Sequence, residues 1–348
     1  MDHGSFNFTN KSFTDKSFTD KSNIDKSNTI MQKNIMQKNI TKMWKNKELR
    51  KIFLDIIGNT QFRNCPYLRE DFYNILNYLI RNNSTDKQIY DRMFEWVHYS
   101  LSQKSRELIL CANVYKRSIN RVDKIKSLVD KFYNNGKTND TMNEIPKDEI
   151  PETPPNRIKI LDIGCAEGSI SVMIGQYFGL DASHMHGCDI IENKSDKISD
   201  QMTFAHIIDE NNSYQKLYAN EQFDIIIALM SLHHIKNRDD ILKQIHRILK
   251  PNGLFIIREH NCISKGLSLV LDAIHGFYSM VWANPREMSD FQTEYFANYT
   301  RSDDLTKIIE SKGFSELYNN RFNEYPRFYH GKVINPLNYY YAVYRKIS

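Results

Sequence analysis

The sequence predicts an α/β fold: a doubly wound, mostly parallel sheet over residues 157–348, preceded by an α-helical region over residues 43–134. Three observations predict it. From residue 157 onward, short β-branched apolar runs alternate with segments of helical spacing, the order that lays parallel strands side by side with helices on both faces. The first run, residues 158–163, passes straight into the glycine turn Gly164-Cys165-Ala166-Glu167-Gly168, which opens a helix. Upstream, apolar residues recur at helical spacing in one segment after another.

Residues 1–42 are read as a low-complexity tract. Lys-Ser-Phe-Thr-Asp occurs at 11 and 16, related pentapeptides follow at 21 and 26, and Met-Gln-Lys-Asn-Ile occurs at 31 and 36. A period of five matches neither helix nor strand, so no continuous apolar face forms and disorder is expected. The formal net charge is +5. Ten basic against five acidic residues in the first fifty account for all of it, so bulk charge does not announce a nucleic-acid groove in the remainder. Heavy use of Asn, Ile, Lys and Tyr fits an A+T-rich genome and resembles proteins of large DNA viruses. The five cysteines are scattered without C-x-x-C spacing, which points to free thiols in a reducing compartment. No apolar run approaches the ~20 residues of a membrane span, the N-terminus lacks a signal-peptide core, and Asp2 excludes myristoylation. A soluble, intracellular (cytoplasmic) protein is expected.

Residues 43–134 read as successive helices, a lid or a surface for a partner protein. Residues 135–156, polar and holding Pro146, Pro151, Pro154 and Pro155, read as a linker.

The turn after the first strand indicates the ligand. A dinucleotide fingerprint needs G-x-G-x-x-G. Here the last glycine arrives one residue early, and Glu167 would repel a pyrophosphate. Asp162, at the strand end, suits a ligand carrying an ammonium group. These features point away from NAD and toward S-adenosylmethionine. The second strand, residues 184–188, ends at Asp189, where a carboxylate can accept from both ribose hydroxyls. A third strand at 202–208 closes on Asp209, near the expected adenine amino group. Residues 223–229 then form a buried strand, followed by Met230-Ser231-Leu232-His233-His234, a helix from Arg238 to Leu249, the turn Lys250-Pro251-Asn252-Gly253 and a strand over 254–258.

The glycine turn resembles motif I of the class I S-adenosylmethionine-dependent methyltransferases, with Ala166 in place of the middle glycine. The block from 223 to 258 is similar to motifs IV to VI of the members that contain Leu-His-His. The resemblance covers about residues 155–348 and implies a Rossmann-like, seven-stranded sheet whose last two strands, read at 314–322 and 337–344, form an antiparallel hairpin. It implies S-adenosyl-L-methionine as cofactor, with Asp162, Gly164, Cys165, Ala166, Gly168, Asp189, Ile190, Asp209 and Leu229 binding it. It also places Ser231, His233 and His234 at the reaction site.

His233, Glu259 and His260 are the candidate catalytic residues, with histidine as general base. His233 reads equally as a structural hydrogen-bonder, and His234 reads as one. Asp272, His275 and Tyr278 share a helix face beyond the fifth strand. With Glu259 and His260 they could line a polar substrate mouth or serve only as structural hydrogen-bonders. No metal is expected, although His260, Asp272 and His275 form the set that would bind one. The methyl acceptor is unidentified, with RNA favoured slightly over protein or a small molecule. The rival expectation is a catalytically silent scaffold of the same fold.

Overall fold

The structure, a computed structural model, describes residues 39–110, 114–134, 158–190, 200–207, 213–282, 295–321, 327–329, 332–334 and 337–347. Most of the repeat tract, the expected linker and Asp209 lie outside these residues. Residues 39–42, read as the end of the repeats, are helical, with Ile40 fully buried.

Seven strands make one sheet: β1 (Ile160–Ile163), β2 (Met185–Asp189), β3 (Thr203–His206), β4 (Phe223–Leu229), β5 (Leu249–His260), β6 (Phe314–Asn319) and β7 (Tyr339–Lys346). Their spatial order is β3-β2-β1-β4-β5-β7-β6. Strands β1 to β5 run parallel, and β7 lies antiparallel between β5 and β6. This is the doubly wound sheet with its closing antiparallel hairpin. The segments Arg327–Tyr329 and Lys332–Ile334 pair apart from it as a small ribbon. Because β1 has β2 on one side and β4 on the other, the crevice at their carboxyl ends is the switch point where such sheets take ligands.

Side chains alternate by face, as the pleat requires. Leu161, Ile163, Ile226, Ala228, Phe255 and Ile257 pack against Ile241, Leu242, Ile245 and Ile248. Those residues belong to the helix Arg238–Ile248, which occupies the face shared with Leu305 and Ile309 of Ser302–Glu310. Ile160, Ile225, Ile227, Leu254 and Ile256 meet the opposite layer, made by Ile174 and by Val122, Ile125, Leu128 and Val129. Strand β5 begins earlier than the sequence suggests. Phe223 pairs with Leu249 and Ile225 with Leu254, so the expected turn at 250–253 is an irregularity inside one strand, with Asn252 at φ +61°.

Helices α1 (Asn39–Lys45), α2 (Lys47–Asn59), α3 (Tyr67–Arg81), α4 (Asp86–Glu95) and α5 (Gln103–Leu110) form a cap. Helix α6 (Val114–Val129), read with them in the sequence, instead covers the sheet beside α7 (Ser169–Tyr177). The helices Arg238–Ile248, Lys265–Trp282 and Ser302–Glu310 are α8, α9 and α10. Local signals start the cap helices: Asn46 Oδ1 accepts from the Glu48 and Leu49 N–H groups, and Thr85 with Gln88 makes a capping box before α4. Asp86 reaches further, its Oδ2 accepting from Ile40 N at 2.8 Å and so fixing the start of α1.

The centre of the cap comes from the far side of the chain. Helix α9 leaves β5 and places Leu267, Val270, Leu271, Ile274 and Phe277 among Ile40, Trp44, Phe53, Phe72 and Met93. The Phe277 ring lies 4.9 Å from Phe72, 5.5 Å from Phe53 and 5.9 Å from Tyr90. A helix apolar around most of its circumference has to be enclosed, and α1–α5 enclose it. This face of the helical region, which the sequence offered to a partner protein, is occupied by the chain's own helix. Among the described residues no helix is long and apolar enough to cross a membrane.

Gly276 is the closest seam of this packing, since a Cβ there would collide with the buried Tyr90 ring. Gly276→Ala is expected to lower stability by about 1–3 kcal/mol despite alanine's better helix propensity. Denaturant midpoints of the two proteins measure the difference.

Candidate active site

Strand β1 turns Ile160 and Asp162 toward the α6–α7 layer, where Asp162 is buried. Ser171, in the first turn of α7, donates its hydroxyl to Asp162 Oδ2 at 2.6 Å. Oδ1 is buried and makes no hydrogen bond. Burial pushes this carboxyl up to about 7; the Ser171 hydroxyl opposes the rise and the charge of Asp189 adds to it.

The turn between β1 and α7 bends through left-handed backbone at Gly164 (φ +74°), Ala166 (φ +48°) and Gly168 (φ +79°). Gly164 has two reasons to be glycine, its φ and the Ser231 Cβ that packs where its own side chain would stand. Ala166 tolerates the left-handed region at a cost of roughly 1–2 kcal/mol. Its N–H donates to Asp189 Oδ2 at 2.7 Å, which offsets part of that cost. Asp189 therefore stands at the turn from the end of β2, while Ile190 after it is largely exposed.

A cavity of about 140 Å³ opens against this turn, with Asp162, Gly164, Ala166, Ile170, Leu229 and Arg121 in its wall. Cys165 also lines it. The structure thus brings Asp162, the glycine turn, Asp189 and Leu229 to one edge of the sheet, while Asp209 lies outside the described residues. The cavity fits the methionine end of the expected donor: it presents an unpartnered buried carboxylate oxygen to an ammonium group. Arg121 and Ile170 were missed in the sequence. Nothing in the local pattern of α6 marks Arg121 as anything but one more charge on an amphipathic helix.

Beside this cavity, β4 ends at Leu229 and the chain turns at Met230 (φ +66°), whose N–H donates to Arg258 O at 2.7 Å. Ser231 then donates its hydroxyl to Ile163 O at 2.8 Å. The single helical turn Leu232–His234 follows, with His233 buried. His233 Nδ1 lies 2.6 Å from Glu259 Oε2 near the end of β5, and both side chains are 3% exposed. Burial drives both toward their neutral forms, the imidazole well below its ordinary value and the carboxyl up to about 7.

His260 and His275 join them. His260 Nδ1 lies 2.6 Å from Leu337 O, and His275 Nδ1 lies 2.8 Å from Leu271 O. Tyr299 stacks on His233 at 5.2 Å between ring centroids, with its hydroxyl 3.0 Å from His275 Nδ1. His234 Nδ1 is held by Phe296 O at 2.8 Å, the structural role read for it in the sequence. Asp272, the expected companion of His260 and His275, is not in this cluster; His233 takes its place. Tyr299 was also missed, because a single tyrosine in an irregular stretch carries no periodic signal.

Asp162 binds its proton more tightly in the folded chain (about 7) than in the unfolded one (3.8). That contribution is complete below pH 3.8 and is lost as pH rises through 7. Without donor, stability should fall across this window by up to about 1.4 kcal/mol per pH unit from this group. Asp162→Asn should flatten the slope, as urea titrations at successive pH values would record.

Comparison with known proteins agrees with this geometry. Residues 138–318, just over half of the chain, match the family described as a methyltransferase domain. The demethylmenaquinone methyltransferase of Leptospira interrogans is 24% identical over 201 residues, spanning 53% of this chain and 76% of its own. A ubiquinone/menaquinone biosynthesis C-methyltransferase of Rickettsia prowazekii is 24% identical over 189 residues, spanning 49% and 75%. The mitochondrial arginine hydroxylase NDUFAF5 of Homo sapiens is 25% identical over 175 residues, spanning 49% and 46%. The chain belongs to the methyltransferase domain family and is an S-adenosylmethionine-dependent enzyme of the class I fold.

Proposed function

We propose that the chain methylates a small organic acceptor enclosed between the carboxyl ends of β4 and β5 and helix α9. The observation that carries this reading is the buried His233–Glu259 pair, two residues beyond the Ser231 that packs on Gly164. When bound, S-adenosylmethionine supplies a methyl group on a sulfonium, which departs as a neutral thioether.

The chain's part is to hold and align. Asp162 Oδ1 accepts from an ammonium. Asp189, braced by the Ala166 N–H, faces a ribose. Gly164, Cys165, Ala166 and Gly168 form the close-fitting bend, with Leu229 and Ile190 as apolar walls. At the acceptor end, ionised Glu259 accepts a hydrogen bond from the His233 Nδ1–H, so the second ring nitrogen presents a lone pair. His260 presents another, its Nδ1–H being given to the Leu337 carbonyl. Enclosure and alignment can supply several kcal/mol of the barrier reduction for such a displacement.

RNA, expected from the basic leader, has less support as acceptor. The rings around His233 are buried beneath α9 and residues 295–300 rather than open along a strand-binding groove. Two of the relatives are named for quinone substrates. The deciding experiment offers labelled donor to metabolite, RNA and protein fractions. Label in the organic-soluble pool supports the proposal, and label confined to RNA refutes it.

Asp189→Ala is expected to weaken donor affinity by about 1–3 kcal/mol, the scale of hydrogen bonds to a charged group. Calorimetry showing unchanged affinity would remove Asp189 from the donor site. His233→Ala should slow methyl transfer by about 100-fold or more while donor affinity stays put. An undiminished rate would take the pair out of acceptor chemistry.

A further inference from the structure

His233 and His260, both buried, and the partly buried His275 present a problem that proton transfer alone leaves unsolved. A carbonyl oxygen can only accept, so His260 and His275 must carry their protons on Nδ1, facing Leu337 O and Leu271 O. His233 Nδ1 donates to Glu259 Oε2 when that carboxyl is ionised. All three rings then have Nε2 as the lone-pair nitrogen. Nε2 of His233 and of His260 is buried and makes no hydrogen bond. Buried polar atoms without a partner are rare, and here two gather in one place.

The rings are also spaced evenly. Centroid separations are 5.3 Å for His233–His260, 5.6 Å for His233–His275 and 5.5 Å for His260–His275. Three imidazoles bound through nitrogens ~2.0–2.1 Å from one tetrahedral zinc would hold their centroids roughly 5.2 Å apart. One ligating nitrogen from each ring already lies within 4.8 Å of the others. Nitrogens on one tetrahedral zinc stand roughly 3.3 Å apart, so the rings must turn inward to close on a cation.

We infer that Nε2 of His233, His260 and His275 bind one divalent transition cation of the zinc class. The second ring nitrogens are arranged as such sites require: one imidazole on a carboxylate and two on backbone carbonyls, which pin tautomer and orientation. Glu259 supplies negative charge beside the cation. Three protein ligands leave a further coordination position, the pattern of catalytic rather than structural zinc. That position would polarise an acceptor bearing a hydroxyl, thiol or carbonyl oxygen. This last role rests on the methyl-transfer reading, whereas the cation site itself does not. His275 comes from α9, so the cation would also join the cap to the sheet edge.

The test uses the full chain without a histidine tag, equilibrated with zinc or with cobalt(II) and freed of excess metal. Elemental analysis should find about one equivalent of zinc per chain. The cobalt form should show the visible absorption of a four-coordinate, nitrogen-rich site. His260→Gln and His275→Gln should each abolish that spectrum, while Asp162→Asn keeps it. Thermal melts establish that each variant is folded, and binding of S-adenosylhomocysteine does so again for the histidine variants. Wild-type protein that melts cooperatively and binds S-adenosylhomocysteine, yet keeps less than roughly a tenth of an equivalent of metal, overturns the inference. So does a cobalt spectrum unmoved by both histidine substitutions. Metal retained by protein that binds no S-adenosylhomocysteine would instead sink the methyl-transfer reading and leave the cation site standing.

Discussion

The seat of Ser231 against Gly164 is the constraint on which the rest of the site depends. The absence of a side chain at Gly164 lets the exit of β4 close onto the exit of β1, and the Ser231 hydroxyl then locks the junction onto Ile163 O. One side of that junction is the bend that carries Asp162 and Asp189. The other is the short helical turn that delivers His233. Two strands of a parallel sheet normally end independently of one another. Here a single close approach makes the glycine bend and the His233–Glu259 pair neighbours in three dimensions.

The sheet was largely legible before any coordinates. Residues 223–229 form β4 as read, because a buried parallel strand is a continuous apolar run bounded by turns. Asp162, the glycine bend and Asp189 lie at the strand ends where they were read, because strand ends are local in sequence. What could not be read was which layer each helix joins. Both α6 and α9 have apolar faces at helical spacing, and periodicity says that a face is buried without saying against what. Helix α6 went to the sheet and α9 to the cap.

The histidine cluster shows the same limit more sharply. His260 and His275 were grouped with Asp272 because three residues apart is close on a helix surface. Such positions still differ by about 60° around the axis, enough to send Asp272 elsewhere while His275 meets the end of β5. His233 arrives from another strand altogether. The ring of Tyr299 completes the enclosure from a stretch with no regular pattern. Convergence of this kind is a property of tertiary packing and leaves no mark on spacing.

Helix α9 also sets how the cap can diverge. Residues 39–110 wrap an element encoded more than 150 positions downstream, so neither piece encloses its apolar surface alone. A chimera exchanging the leading helices of two relatives would expose a mismatched hydrophobic seam unless residues 265–282 travelled with them. Changes that reshape this cap must therefore be matched across two distant segments of the gene.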